Sequence, residues 1–356
     1  MSAKIPVTII TGFLGAGKTT LINELLRQPY DEKVAVIVNE YGDAGVDHNL
    51  VVNVEEEVYQ MNNGCLCCTL RTDLSDTLRT IYNLIEKQTV LIDRIVIETT
   101  GLAAPGPIVQ TFMRTAFLQD HFEIDSVLTL VDAGNGLYQM AHYEESIAQI
   151  AFADKLFMTK AEQEDDHTVH LVKQKLRSLN PFADIDRLNL DGVSVNDVLG
   201  LALFKEQTVK ADDGPQVEET HHSHEHHDGH HHENGGHEHH HGPHSEGIVT
   251  LSLKSRNPIH PTLFDMWMNE LIMTYGMDLL RYKGVLQMYG EANQVIYQGV
   301  NMTLRTARSE PWGEKERESV FVFIGKNLPL EEMKESFQKC LVTEDLMEEL
   351  AMEVKN

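Results

Sequence analysis

The sequence predicts a doubly wound, mostly parallel α/β sheet followed by a smaller α+β domain. Three observations predict it. From residue 5, short β-branched runs alternate with helical patterns, the grammar of a parallel sheet covered by helices. From Lys205 to Gly247 the chain carries Asp, Glu, Gly and His with almost no large apolar side chain, so it cannot build a core there. Beyond that stretch apolar patterning resumes, with strand and helix periods mixed. The expected organisation is an α/β domain at 1–204, a flexible His-rich acidic linker at 205–247 and an α+β domain at 248–356, and 356 residues suit two domains.

In chain order, Val7 to Ile10, Val34 to Val38, Arg94 to Glu98, Ser126 to Val131 and Lys155 to Thr159 read as buried strands. Thr19 to Arg27, Leu74 to Ile85 and Thr168 to Leu179 read as the helices between them. In the second domain Ile248 to Leu253, Leu280 to Met288, Val295 to Tyr297 and Val320 to Ile324 read as strands, with helices at Leu263 to Met273 and Leu330 to Cys340. The acidic tail from Thr343 to Val354 has a helical pattern, and no internal repeat is present.

Apolar residues at 42% and charged residues at 24% give an ordinary globular balance, and no apolar run reaches transmembrane length. Met1-Ser2-Ala3-Lys4 passes straight into a β-rich run without a secretory pattern, so the cytoplasm is the expected compartment. A formal charge of -26 repels nucleic acid and anionic membrane and attracts cations. Of the four cysteines, three are packed into Cys65-Leu66-Cys67-Cys68, a spacing that suits a metal rather than a disulfide framework.

Gly12-Phe13-Leu14-Gly15-Ala16-Gly17-Lys18-Thr19 matches G-x-x-x-x-G-K-[ST] in full register, between a strand and a helix. This is a P-loop: its glycines let backbone N–H groups curl round phosphate oxygens, and the helix N-terminus adds its dipole. The nucleotide-binding candidates are Gly12, Gly15, Ala16, Gly17, Lys18, Thr19 and Thr20. Lys18 is expected to reach the β- and γ-phosphates, and the Thr19 hydroxyl to ligate Mg²⁺. Glu98, ending a buried strand before Thr99-Thr100-Gly101, is the second group expected at Mg²⁺, and Gly101 would permit close approach to the γ-phosphate. Thr159-Lys160-Ala161-Glu162 stands where base selection is made, the Glu162 carboxylate accepting from guanine and the Lys160 stem covering the ring; a plain surface pair after a strand is the alternative.

In an extended conformation Cys65 and Cys67 project to the same side, and two convergent thiolates are half a tetrahedral zinc site. The remaining positions are left to Cys68, a water, Glu40 or a histidine, and such an open set suits transfer. Soft ligands favour Zn²⁺ or Cu(I) over Mg²⁺, with Co²⁺ and Ni²⁺ not excluded by affinity order. Thirteen of the 19 histidines fall between His221 and His244, and this arm reads as a metal buffer or capture arm, or else as a solvated linker.

The P-loop, Asn39-Glu40-Tyr41-Gly42, Gly64-Cys65-Leu66-Cys67-Cys68 and Glu98-Thr99-Thr100-Gly101 together resemble the CobW-type family of metallochaperone GTPases, in the broader class that holds nickel-insertion GTPases for hydrogenase and urease. Leu179-Asn180-Pro181-Phe182-Ala183 and Arg281-Tyr282-Lys283-Gly284 extend the resemblance to both domains. It implies a GTPase domain, a CobW-like C-terminal domain, metal bound at the cysteine motif in a nucleotide-sensitive manner, and Glu40 near both metal and γ-phosphate. Lys18, Glu40 and Glu98 are then the catalytic candidates, and Cys65, Cys67, Cys68, Glu40, Thr19 and Glu98 the metal candidates. This sequence departs from the family at Glu162, where Asp is expected, and at Tyr41, where Phe is commoner.

The expected function is a GTP-hydrolysing metallochaperone that binds zinc and passes it to a metal-requiring client protein, with cobalt, nickel or iron insertion as the nearest alternative. A homodimer is left open. A P-loop metabolite kinase gives no reason for the cysteines or the His arm, and a passive zinc store needs no P-loop.

Overall fold

The computed structural model describes residues 4–38, 70–206, 247–313 and 317–343. Glu40, Cys65, Cys67, Cys68, the arm from His221 to His244 and most of the acidic tail lie outside the described residues.

The first sheet has six parallel strands: β1 (Ile5–Gly12), β2 (Val34–Val38), β3 (Arg94–Glu98), β4 (Phe122–Asp132), β5 (Lys155–Thr159) and β6 (Asp184–Leu188), in the spatial order β2-β3-β1-β4-β5-β6. β1 is central because Val7, Ile9 and Ile10 are apolar on both faces and all are fully buried, the pattern of a strand covered on both sides. One face packs Val7, Ile9, Ile95 and Ile97 against the helices Leu70–Glu86 and Gly106–Arg114; the other packs Ile10, Val96 and Leu128 against Leu21, Ile22 and Leu25 of the helix Lys18–Arg27. β2, β3 and β5 have the bounds expected from sequence. The sequence reading had no counterpart for edge strand β6, or for the helices Gly106–Arg114, Ala116–His121, Gly136–His142 and Glu144–Phe152.

The second sheet is antiparallel, in the order β10-β9-β8-β11-β7, from β7 (Ile248–Ser255), β8 (Leu279–Leu286), β9 (Asn293–Val300), β10 (Thr303–Pro311) and β11 (Ser319–Lys326). Successive side chains point to opposite faces. Phe321 and Phe323 face a core with Tyr282, Phe264, Trp267 and Phe337, built on the helices Pro261–Tyr275 and Leu330–Gln338. Val320, Val322 and Ile324 face the first domain and pack on Ala151. Gly284 is needed for this packing, since a Cβ there would lie 2.2 Å from the Phe321 ring.

The contact between the two sheets' domains combines this apolar cluster with polar bonds. Arg281 of β8 donates to the Phe152 carbonyl oxygen and to Asp154, whose other carboxylate oxygen accepts from the Val127 N–H at 2.8 Å. Gln110 donates to Asn301, and Arg114 Nε donates to Thr303 Oγ1 at 2.9 Å. Asn180 secures the same region: its Nδ2 donates to the oxygens of Ile150 and Ala153 at 2.8 and 2.9 Å, and its Oδ1 accepts from the N–H groups of Phe182 and Ala183. Cys340 is buried in the second core, which pushes its thiol up to about 11 and keeps it an unreactive packing residue.

Candidate nucleotide site

The carboxyl ends of β1, β3, β4 and β5 converge on the loop from Gly12 to Lys18, the crevice where open α/β sheets bind ligands. Gly12, Gly15 and Gly17 have φ of +143°, +76° and +96°, left-handed values that strain any residue with a Cβ. A Cβ on Gly12 would also lie 2.4 Å from the Leu130 carbonyl oxygen, so the loop can leave β1 here only without a side chain. The Ala16 N–H donates to the Phe13 carbonyl at 3.2 Å, and Leu21 N–H to Gly17 at 2.9 Å, where the helix begins.

Lys18 is 8% exposed and its Nζ donates to the carbonyl oxygens of Gly12 at 2.8 Å and Phe13 at 3.2 Å, so its charge sits under the loop. Burial holds its pKa below the ordinary lysine value, partly offset by the charge of Glu98. Thr19 Oγ1 donates to Glu98 Oε1 at 2.7 Å. Two residues far apart in sequence are thus brought together, with oxygen donors side by side that fit a hard cation such as Mg²⁺. Thr20 follows on the exposed side of the helix.

The Thr99 N–H donates to Ile10 O at 3.0 Å, and its hydroxyl to Thr11 Oγ1 at 2.7 Å, which ties the loop after Glu98 to β1. Gly101 has a local reason of its own: a Cβ would lie 2.5 Å from Leu14 Cδ2 and 2.8 Å from its N, so the missing side chain admits Leu14 of the P-loop.

At the end of β5, Thr159 Oγ1 donates to Ala16 O at 2.9 Å. Lys160 takes a left-handed φ of +57° and its Nζ donates to Gly15 O at 2.9 Å and Asp132 Oδ2 at 2.7 Å. The Lys160 ammonium is therefore committed to fixing the P-loop. Burial alone would raise the Asp132 carboxyl, but hydrogen bonds from Lys160 and Asn135 hold it below the usual range. Glu162 is exposed in a single 3₁₀ turn, Ala161–Gln163, beside this cluster.

Sequence reasoning missed Asp132, Leu190 and Gln149. Asp132 ends a buried strand before Gly134 and Asn135, whose N–H groups it accepts at 2.9 and 3.1 Å, and that Asx-turn pattern was the available signal. Leu190, after β6, approaches the P-loop so closely that a Cβ on Gly17 would lie 2.7 Å from its Cδ1. A cavity of about 750 Å³ lies at the opposite ends of β2 and β3, lined by Leu25, Leu26, Tyr30, Val34 and Ile92, away from the P-loop. Among the described residues no cluster of three His, Cys, Asp or Glu could hold a metal, and no helix is long and apolar enough to cross a membrane.

The sequence matches the family described as CobW/HypB/UreG, nucleotide-binding domain, over residues 6–186, and the cobalamin synthesis protein cobW C-terminal domain over residues 248–341. The chain belongs to the CobW/HypB/UreG family. Among curated relatives of this family, the zinc chaperone YjiA of Escherichia coli is 32% identical over 333 residues, covering 94% of this chain and 98% of its own length. The zinc-regulated GTPase metalloprotein activator 1 of Schizosaccharomyces pombe is 37% identical over 189 residues, covering 51% of this chain and 45% of its own. The crystal structure of Zn(II)-bound YjiA GTPase from E. coli superposes with a TM-score of 0.74 at 26% identity, covering 96% of this chain and all of that one. The P-loop fold and the antiparallel second domain are those of the family.

Proposed function

We propose that this chain is a GTPase whose hydrolytic cycle controls the binding and release of zinc for delivery to a client protein. The observation that carries the proposal is the 2.7 Å contact between Thr19 and Glu98 at the mouth of the P-loop, in a chain of a family that includes zinc chaperones. Thr19 and Glu98 would hold Mg²⁺, which when bound offsets phosphate charge. Lys18 places its ammonium at the β- and γ-phosphates, and the backbone N–H groups from Gly12 to Thr20 bind their oxygens. Lys160 and Thr159 set the P-loop from below. Glu162 reads the base, its carboxylate accepting from guanine donors.

Zinc is cargo, and Cys65, Cys67, Cys68 and Glu40 are its proposed ligands. Their nearness to the nucleotide is supported by register: Val38, the residue before Asn39, pairs with Glu98. The helix Leu70–Glu86 starts two residues after Cys68. A segment that follows β2 beside Glu98 can change its ligand geometry when the γ-phosphate is lost.

Phosphate release assays on wild type and Lys18→Ala test the enzymatic half. Wild type is expected to hydrolyse GTP without forming a phosphorylated metabolite, and Lys18→Ala to lose turnover. Near-normal turnover in the variant would remove the assignment of Lys18.

A further inference from the structure

Gln149 lies in the helix Glu144–Phe152 and is 1% exposed. Its Nε2 donates to two carbonyl oxygens of one loop, Gly101 and Ala103, each at 3.1 Å. Its Oε1 is buried and has no hydrogen-bond partner among the described residues. Burying an amide acceptor without a partner is unfavourable, so a position selected only for packing would carry Leu or Met. What an amide supplies here, and Leu cannot, is the pair of donors.

Both donors act on the turn that joins Glu98 to the helix Gly106–Arg114. Because C=O and N–H of a trans peptide point in opposite directions, fixing the Gly101 carbonyl also fixes the Leu102 N–H, and fixing Ala103 fixes the Ala104 N–H. The Ala103 N–H itself donates to Thr100 O at 3.1 Å, closing the turn. The helix that carries Gln149 is itself held. Its Gln149 carbonyl accepts from Thr129 Oγ1 at 2.8 Å, its Ile150 carbonyl from Asn180, and its Phe152 carbonyl from Arg281 of the second domain. Tyr143, just before the helix, places its ring 4.7 Å from that of Phe13 in the P-loop. The turn after Glu98 is thus clamped by a rigid element that touches both the P-loop and the antiparallel sheet.

We propose that Gln149 is a positioning residue for hydrolysis, holding the Thr99–Ala103 turn in the setting from which it meets the γ-phosphate; this rests on the chain being a GTPase but not on which metal it carries. Loss of the two donors lets the turn relax, which slows the chemical step while leaving diphosphate binding, made by the P-loop, in place.

The test compares full-length wild type with Gln149→Leu and Gln149→Met, which keep the volume and remove the donors, by steady-state GTP hydrolysis, GDP affinity and thermal midpoint. Both variants are expected to keep GDP affinity within about twofold and to lose kcat about tenfold, the rate equivalent of about 1.4 kcal/mol, with KM little changed. Gln149→Glu, which sets a carboxylate against two carbonyl oxygens, is expected to lose more. A kcat within twofold of wild type in either folded apolar variant, or a loss carried by GDP affinity and KM instead of kcat, would overturn the assignment. Absence of GTP hydrolysis in wild type would instead remove the GTPase assignment beneath it.

Discussion

Lys283 offers the sharpest test of how the two domains are joined. It lies on β8 with no exposed surface, facing the first domain, and its Nζ has no hydrogen-bond partner among the described residues. Burial pushes its pKa down to about 8, with Asp154 pulling it up and Arg281 pushing it down. The Asp154 carboxylate is already matched by Arg281, so Lys283 adds a second cation to a balanced pair. From 10.5 unfolded to about 8 folded, at about 1.4 kcal/mol per unit, ionised Lys283 costs about 3 kcal/mol at neutral pH. Because the folded value lies below the unfolded one, the unfolded state binds more protons between them, and stability returns as pH rises from about 8 to about 10.5. Lys283→Met keeps the apolar stem and removes the charge. The expected outcome is a variant more stable at pH 7, by up to about 3 kcal/mol, with an advantage that shrinks towards pH 10.5. Thermal midpoints of both proteins across pH 7 to 10.5 check it. A difference that stays constant over that range, or a variant less stable throughout, would show that burial does not hold Lys283 below its ordinary pKa.

Lys160→Met removes the cation that links Asp132 to the Gly15 carbonyl, and GTP affinity is expected to fall by about tenfold, or about 1.4 kcal/mol, in equilibrium titration. Since Asp132 is held below its ordinary pKa by Lys160 and Asn135, the stability it contributes is present above the carboxylate range and lost as pH falls through its folded value; the difference between wild type and variant should narrow in acid. With Glu162 reading the base, Glu162→Asp is expected to sharpen guanine over adenine selectivity in competition binding. An unchanged preference would move base recognition elsewhere.

The parts legible in sequence were those fixed locally. β2, β3 and β5 are short β-branched or apolar runs with clear ends, and the P-loop is a contiguous motif whose glycines announce left-handed backbone. β6 escaped because Asp-Ile-Asp-Arg-Leu carries three charges in five residues, tolerable only on an edge that pairs with β5 alone. β10 escaped for the same reason, an exposed polar edge beside β9. Glu98 was legible because it ends an apolar strand, but its hydrogen bond to Thr19 spans 79 residues and required the fold. The Lys160 stem is assigned to the base from sequence, and the bonds of its ammonium to Asp132 and Gly15 could not be seen because three separate strand ends supply that cluster. Gln149 gave no signal at all, since nothing in a helix sequence says which buried amide will face a loop 46 to 48 residues earlier.

The nucleotide state is proposed to control zinc affinity at Cys65 and Cys67. Competition titration of Zn²⁺ against wild type, with a non-hydrolysable GTP analogue, with GDP and without nucleotide, tests it most directly. Zinc should bind about 5- to 150-fold more tightly with the GTP analogue than with GDP, zinc should tighten the analogue by the same factor, and Cys65→Ser or Cys67→Ser should remove the coupling while sparing nucleotide binding. Equal zinc affinity in all three states would rule out a nucleotide-switched zinc site and leave a GTPase that merely carries a metal.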